Sequence, residues 1–194
     1  MSISVKNGNR RKMLKGVTLG AGAVVLQLVF WVTSLHAAPS TNVIVEVLDG
    51  DRIKIRHAAD GKEVIHCIRG AAAPLLDQPF GEQARDRLKE LAVAGKEITH
   101  SGPVGRPYKK TSAVRFRTEK GYLAVTMVSE GLAWVVESEL EDKHAKPGSS
   151  KKLIPEADEL LKAQEEARKA KRGLWADQNP IAPWEWLERS KEKK

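Results

Sequence analysis

Val43-Ile44-Val45-Glu46-Val47-Leu48, Ile53-Lys54-Ile55-Arg56 and Val64-Ile65-His66-Cys67-Ile68 are short β-branched runs. Asp49-Gly50-Asp51 and Asp60-Gly61 join them. Each junction carries the residues that tight hairpins require, so three antiparallel strands are expected first. The period then changes. Phe80, Ala84, Leu88 and Leu91 recur at spacings of 4, 4 and 3 among charged residues, which describes an amphipathic helix over Pro79 to Ala94 that stops at Gly95.

Two more strands are expected at Lys96 to His100 and Thr111 to Arg117, separated by a Pro- and Gly-bearing loop from Ser101 to Tyr108. A short helix follows around Ala124 to Glu130, and the polar stretch from Glu141 to Lys152 reads as a flexible connection. Pro155 to Arg172 opens on Pro155 and acidic residues and closes on Lys169, Lys171, Arg172 and Gly173. That charge order complements the helix dipole. The tail from Leu174 to Leu187, with Trp175, Trp184 and Trp186, reads as irregular chain whose indoles pack back on the domain. The expected fold class is therefore β-rich α+β: a five-stranded OB-fold barrel with about three helices.

Charge and cysteine content narrow the function classes. The chain has 194 residues, 33 Lys plus Arg against 25 Asp plus Glu, and a formal charge of +8. Five of the cations (Lys6, Arg10, Arg11, Lys12, Lys15) stand in a leader without acidic residues; leaving out residues 1 to 37 gives 28 cations against 25 carboxylates, net +3. Bulk charge therefore argues little for a polyanion partner. The lone Cys67 excludes an intramolecular disulfide framework and any multi-cysteine metal centre.

The leader combines that basic stretch with an apolar run from Val17 to Leu35 and small residues at Ala37-Ala38, an export signal by its layout. Asn9-Arg10-Arg11-Lys12-Met13-Leu14-Lys15 also fits a twin-arginine signal, and an uncleaved anchor through residues 17 to 35 is the alternative. Either way the domain from residue 38 to 187 is expected outside the cytoplasm, periplasmic or secreted, with residues 188 to 194 a charged tail.

Four ordered motifs carry a family resemblance: Val47-Leu48-Asp49-Gly50-Asp51; Ala73-Pro74 with Asp77-Gln78-Pro79-Phe80-Gly81-Glu82-Gln83-Ala84; Ser129-Glu130-Gly131-Leu132-Ala133-Trp134; and Glu165 to Ala176. From about Val43 to Trp186 the chain resembles the staphylococcal nuclease (thermonuclease) family. The resemblance implies calcium-assisted phosphodiester hydrolysis, with carboxylates to hold the cation, a carboxylate acting on water, and two arginines on the phosphate. Counted from Pro74, the family arginine, calcium-ligating aspartate and glutamate fall on Cys67, Ala72 and Leu75, and the second arginine on Lys110. None of the four keeps its group, although Lys110 keeps the charge.

Asp49 and Asp51 alone survive of the acidic set, and read as a retained turn more than as half a metal site. Hydrolysis is thus expected to be lost, with no cofactor; calcium enters only if a rearranged site is active. Arg69, Arg106, Tyr108, Lys109, Lys110, Arg115 and Arg117 are the candidates for nucleic-acid contact, Tyr108 and Lys110 by resemblance beside the nucleotide pocket. Acidic Glu137 and Glu139 argue against a polyanion there. Cys67 reads as a core residue, and His66 as an inward or rim residue with a hydrogen-bond partner rather than a metal ligand. The two function classes are an exported, inactive nuclease-like domain that binds single-stranded nucleic acid or a protein, and an active metal-dependent nuclease.

Overall fold

The computed structural model describes residues 41–141 and 153–192. The leader, the run from 17 to 35 and most of the expected connection lie outside them. Among the described residues no helix is long and apolar enough to cross a membrane.

Strands β1 (Asn42–Val47), β2 (Arg52–Arg56) and β3 (Glu63–Ile68) form the expected antiparallel meander. The two-residue β4 (Ala71–Ala72) leaves it to pair with β8 (Trp134–Val135). After α1 (Gly81–Leu91) come β5 (Glu97–Arg106), β6 (Thr111–Thr118), the short β7 (Gly121–Tyr122) and α2 (Leu123–Ser129). Strand β5 pairs with both β1 and β6, and β6 closes onto β3 in parallel through His66↔Ser112 and Ile68↔Val114. The circuit β1-β2-β3-β6-β5 is a closed five-stranded barrel, with no free edge left in it.

The barrel core is made by alternation. Ile53 and Ile55 on β2, Ile68 on β3, Ile98 on β5 and Val114 and Phe116 on β6 are buried in the main core, while Cys67 and Ala113, on the alternate positions of β3 and β6, are buried in a second cluster with Val104. Helix α1 covers one opening with Ala84, Leu88 and Leu91. It begins at Gly81, where a Cβ would stand 1.9 Å from the Leu75 carbonyl oxygen, so only glycine fits. Phe80, counted above as a helical position, is instead the cap residue at φ 66°. Helix α3 (Ala157–Lys169) packs Leu160, Ala163 and Ala167 against α2 and the barrel.

Two expectations fail. The stretch Ser101 to Arg106 is strand rather than loop: β5 absorbs Gly102 and Pro103 in a bulge between Ser101 and Val104 and continues to pair with β6. The tail is not irregular either, because α4 (Pro183–Glu192) opens on Pro183 and carries the chain past residue 188. Among the described residues there are four α-helices. Trp134 and Leu174 pack with Ala182, Trp175 and Trp184, as expected of indoles that fold back.

Candidate functional site

The Asp49-Gly50-Asp51 turn between β1 and β2 is held under α1, where a Cβ on Gly50 would lie 2.6 Å from both the Ala73 and Ala84 methyls. The Asp51 amide donates to Asp49 Oδ1 at 3.1 Å, the self-bonded turn that the sequence suggests. Arg52 Nε donates to Asp49 Oδ2 at 2.6 Å. Both aspartates are wholly buried.

Their remaining oxygens do not face an open cavity. Lys109 Nζ donates to Asp51 Oδ1 and lies 3.5 Å from Asp49 Oδ2. Arg106 Nη1 donates to Asp51 Oδ2 at 3.1 Å, and the Ala73 amide does so at 3.2 Å. Arg106 is itself 1% exposed and donates through Nε and Nη2 to both oxygens of Glu139, at 2.7 and 2.6 Å. It also donates to the Ile68 and Ala71 carbonyls, while Glu139 accepts from the Gly70 amide. Three carboxylates (Asp49, Asp51, Glu139) thus meet three cations (Arg52, Arg106, Lys109), and the cluster is neutral as well as nearly saturated in hydrogen bonds.

The electrostatics follow from burial. Burial raises the Asp51 carboxyl, against the pull of Lys109 and Arg106. Burial works the same way on Asp49 but is outweighed there by the Lys109 and Arg52 charges, which hold it below the ordinary range. Burial would lower the Arg106 pKa, yet the Glu139 hydrogen bonds and the Asp51 charge raise it.

The structure also places the three residues onto which the resemblance maps the family groups. Cys67 is buried against Val104 and Ala113, and burial pushes its thiol up to about 12, aided by the Asp51 charge. Such a thiol is not a nucleophile at neutral pH. Ala72 is buried in the β4–β8 pair, and Leu75 closes the turn before α1, its carbonyl accepting from Gln78. The residues present do not fit a calcium ion. Calcium requires six to eight oxygens, whereas the two aspartates are engaged by an ammonium and a guanidinium, and a methyl stands at the third ligand position. Among the described residues no three His, Cys, Asp or Glu groups already form a metal cage.

The seven nucleic-acid candidates do not form one surface. Arg69 and Arg106 are buried, Arg69 donating to the carbonyls of Glu139, Gly102 and Glu141. Lys109 points inward, and Arg115 is paired with Glu156 and the Tyr122 hydroxyl. Lys110, at φ 50°, and Arg117, stacked at 5.3 Å on the Tyr122 ring, reach solvent. The half-buried Tyr108 meets Trp184 edge to face at 6.4 Å, and its hydroxyl is buried without a partner. These two rings line a cavity of about 410 Å³ together with Trp134, Glu137, Gln164 and Arg168.

Glu139 corrects the sequence reading. It is not a repulsive surface charge but the buried counter-ion of Arg106. Arg106 shares the face of Val104, which pairs with Ala113 and packs with Cys67 in a buried cluster apart from the main core, and a buried arginine there demands a buried carboxylate.

A family model for "Staphylococcal nuclease homologue" matches residues 59–177, well over half of the chain. The protein belongs to the staphylococcal nuclease family. Among curated relatives, a micrococcal nuclease of Shigella flexneri is 27% identical over 92% of this chain and 98% of its own length. An uncharacterized endonuclease of Escherichia coli O157:H7 is 31% identical over 75% of this chain and 84% of its own. A staphylococcal-like nuclease, CAN1, of Arabidopsis thaliana is 30% identical over 61% of this chain but only 32% of its own. Family membership agrees with the barrel.

Proposed function

We propose that this thermonuclease-family domain has lost calcium-dependent phosphodiester hydrolysis and serves as an exported binding domain. The observation that carries the reading is Lys109: its ammonium lies on the two aspartates that the family uses for a metal, so the protein supplies its own cation there. A fixed lysine can neutralise carboxylates but cannot lower the pKa of a bound water or bridge two substrate oxygens. With thiol, methyl and isobutyl groups at the other family positions, no side chain at this turn is equipped to activate water or to fork onto a phosphate.

The cavity between Tyr108 and Trp184 is the proposed binding cleft, with the exposed Arg168 as the cation that lines it. A single strand would stack on the rings and be attracted by weak, salt-sensitive electrostatics, in the micromolar range or poorer. The apolar leader supports export, to periplasm or exterior. The competing reading, an active nuclease, rests on relatives whose names are nucleases. Hydrolysis of denatured DNA, measured in calcium and again in chelator, decides between them: the proposal expects no calcium-dependent cutting, and such cutting would refute it. Titration of a labelled single strand at two salt concentrations tests the cleft. Tyr108→Ala should weaken single-strand binding more than duplex binding, and absence of binding at low salt would leave a protein as the ligand.

A further inference from the structure

The inward file of β2 runs from Asp51 through Ile53 and Ile55 to His57, about 20 Å of strand. The same parity places His66 before Ile68 on β3 and His100 after Ile98 on β5. Three of the five histidines in the chain therefore meet at the end of the barrel interior opposite Asp51. Their ring centroids are 5.1 to 5.6 Å apart, over Phe116 at 6.2 and 6.4 Å.

The ring nitrogens are poorly matched as a closed core cluster. His66 Nδ1 lies 2.6 Å from Ser112 Oγ, which leaves its Nε2 aimed at His57 Nε2 at 3.4 Å. Two imidazole nitrogens at that distance need one proton or one cation between them. His100 Nε2 is buried and has no hydrogen-bond partner, an unsatisfied polar atom of the kind that interiors avoid. Asp60, on the same hairpin, is held by Lys62.

We propose that His57, His66 and His100 form a three-imidazole site for a divalent transition-metal ion of the zinc class, completed by water. Nitrogens bound tetrahedrally at 2.0–2.1 Å stand roughly 3.3–3.4 Å apart, which is the His57–His66 separation. Ser112 is the outer partner, accepting from His66 Nδ1 and so directing the Nε2 lone pair at the metal. The three rings do not yet share one centre; a turn of the His100 ring about its side-chain bonds supplies the third nitrogen and relieves its unpaired burial. Binding moves the proton held between His57 and His66 onto His57 Nδ1, so that both rings present Nε2 lone pairs to the ion. Burial, with repulsion from His100 and His57, lowers His66 to about 4, and burial lowers His100 as well. Both are therefore neutral at pH 7, the form a metal requires. The ion would tie β2, β3 and β5 together at an end of the barrel that side chains leave incomplete.

The test uses the full-length chain, stripped with chelator and dialysed against zinc chloride. One zinc per chain is expected, with a rise in thermal midpoint, and cobalt(II) in its place should give the intense visible bands of a tetrahedral site. His57→Ala and His100→Phe, the latter keeping an aromatic ring on Phe116, should each weaken zinc at least tenfold. The double variant His36→Ala/His144→Ala should keep it. Less than one-tenth of an equivalent bound to the unaltered chain would overturn the proposal. So would affinity that survives both barrel variants, or that is lost with His36 and His144.

Discussion

At the Asp49-Gly50-Asp51 turn three carboxylates meet three cations and nearly every oxygen is used; at the other end of β2 three imidazoles meet and a buried nitrogen is left over. The turn carries one of the motifs of the family resemblance, yet it is chemically satisfied and behaves as core. The second has no counterpart among the family motifs, yet it is where polar capacity remains unspent. Capacity to bind follows from unmatched groups rather than from ancestry.

The contrast breaks most visibly at Glu139. Glu139→Ala leaves Arg106 and the Gly70 amide buried without their partner, and should cost about 3–5 kcal/mol in urea unfolding. A cost below 1 kcal/mol would mean that the charged end is solvated and open. Lys109→Ala should cost less, about 2 kcal/mol, by leaving Asp49 and Asp51 facing each other. If the lysine stands in for a metal, millimolar calcium should raise the melting temperature of this variant, by the equivalent of about 1 kcal/mol, and leave the unaltered protein unmoved. Calcium stabilisation of the unaltered protein would contradict the assignment.

The imidazole end is sharpened by acid. His66 titrates near 6.5 when unfolded and at about 4 when folded, so the unfolded chain binds the extra proton between those values. Its contribution is intact above pH 6.5 and is lost as pH falls to about 4. For a ring partly open to solvent the loss is up to about 2 kcal/mol in metal-free protein. Asp49, lowered from 3.8, acts in the same direction but only below that window, because its stability is present above 3.8 and disappears as pH drops through its folded value. Unfolding curves in chelator at half-unit pH steps should therefore show two separate declines, and His66→Gln should lack the upper one. The smallest effect is expected on the rim, where Lys110 holds φ 50°. Lys110→Gly should stabilise by about 0.5–1 kcal/mol by relieving the left-handed backbone; a loss would mean that the lysine side chain is engaged there.

The sequence was read correctly where signals are local. Hairpin dipeptides fixed the first three strands, helical spacing gave α1 and α3, and four ordered motifs carried the family. Its errors fall where pairing is long-range. Gly102 and Pro103 look like loop residues, and only the neighbouring β6 makes them a bulge; the tail looks irregular until α4 finds Trp134 and Leu174 to cover. Counting from Pro74 alone sets Cys67, Ala72 and Leu75 where the resemblance implies an arginine, an aspartate and a glutamate.

What filled the gap was not legible. Lys109 and Glu139 are 58 and 88 residues from Asp51, and a charge in sequence carries no sign of whether it faces water or a buried partner. The three histidines, at positions 57, 66 and 100, share no spacing that marks a site. Sequence by itself determined the first three strands and helices α1 to α3, since those depend on residue type and on neighbours a few positions away. Closure of β3 onto β6 decided which charges cancel and which nitrogens stay unpaired, because burial and opposition across a barrel exist only once distant strands have met.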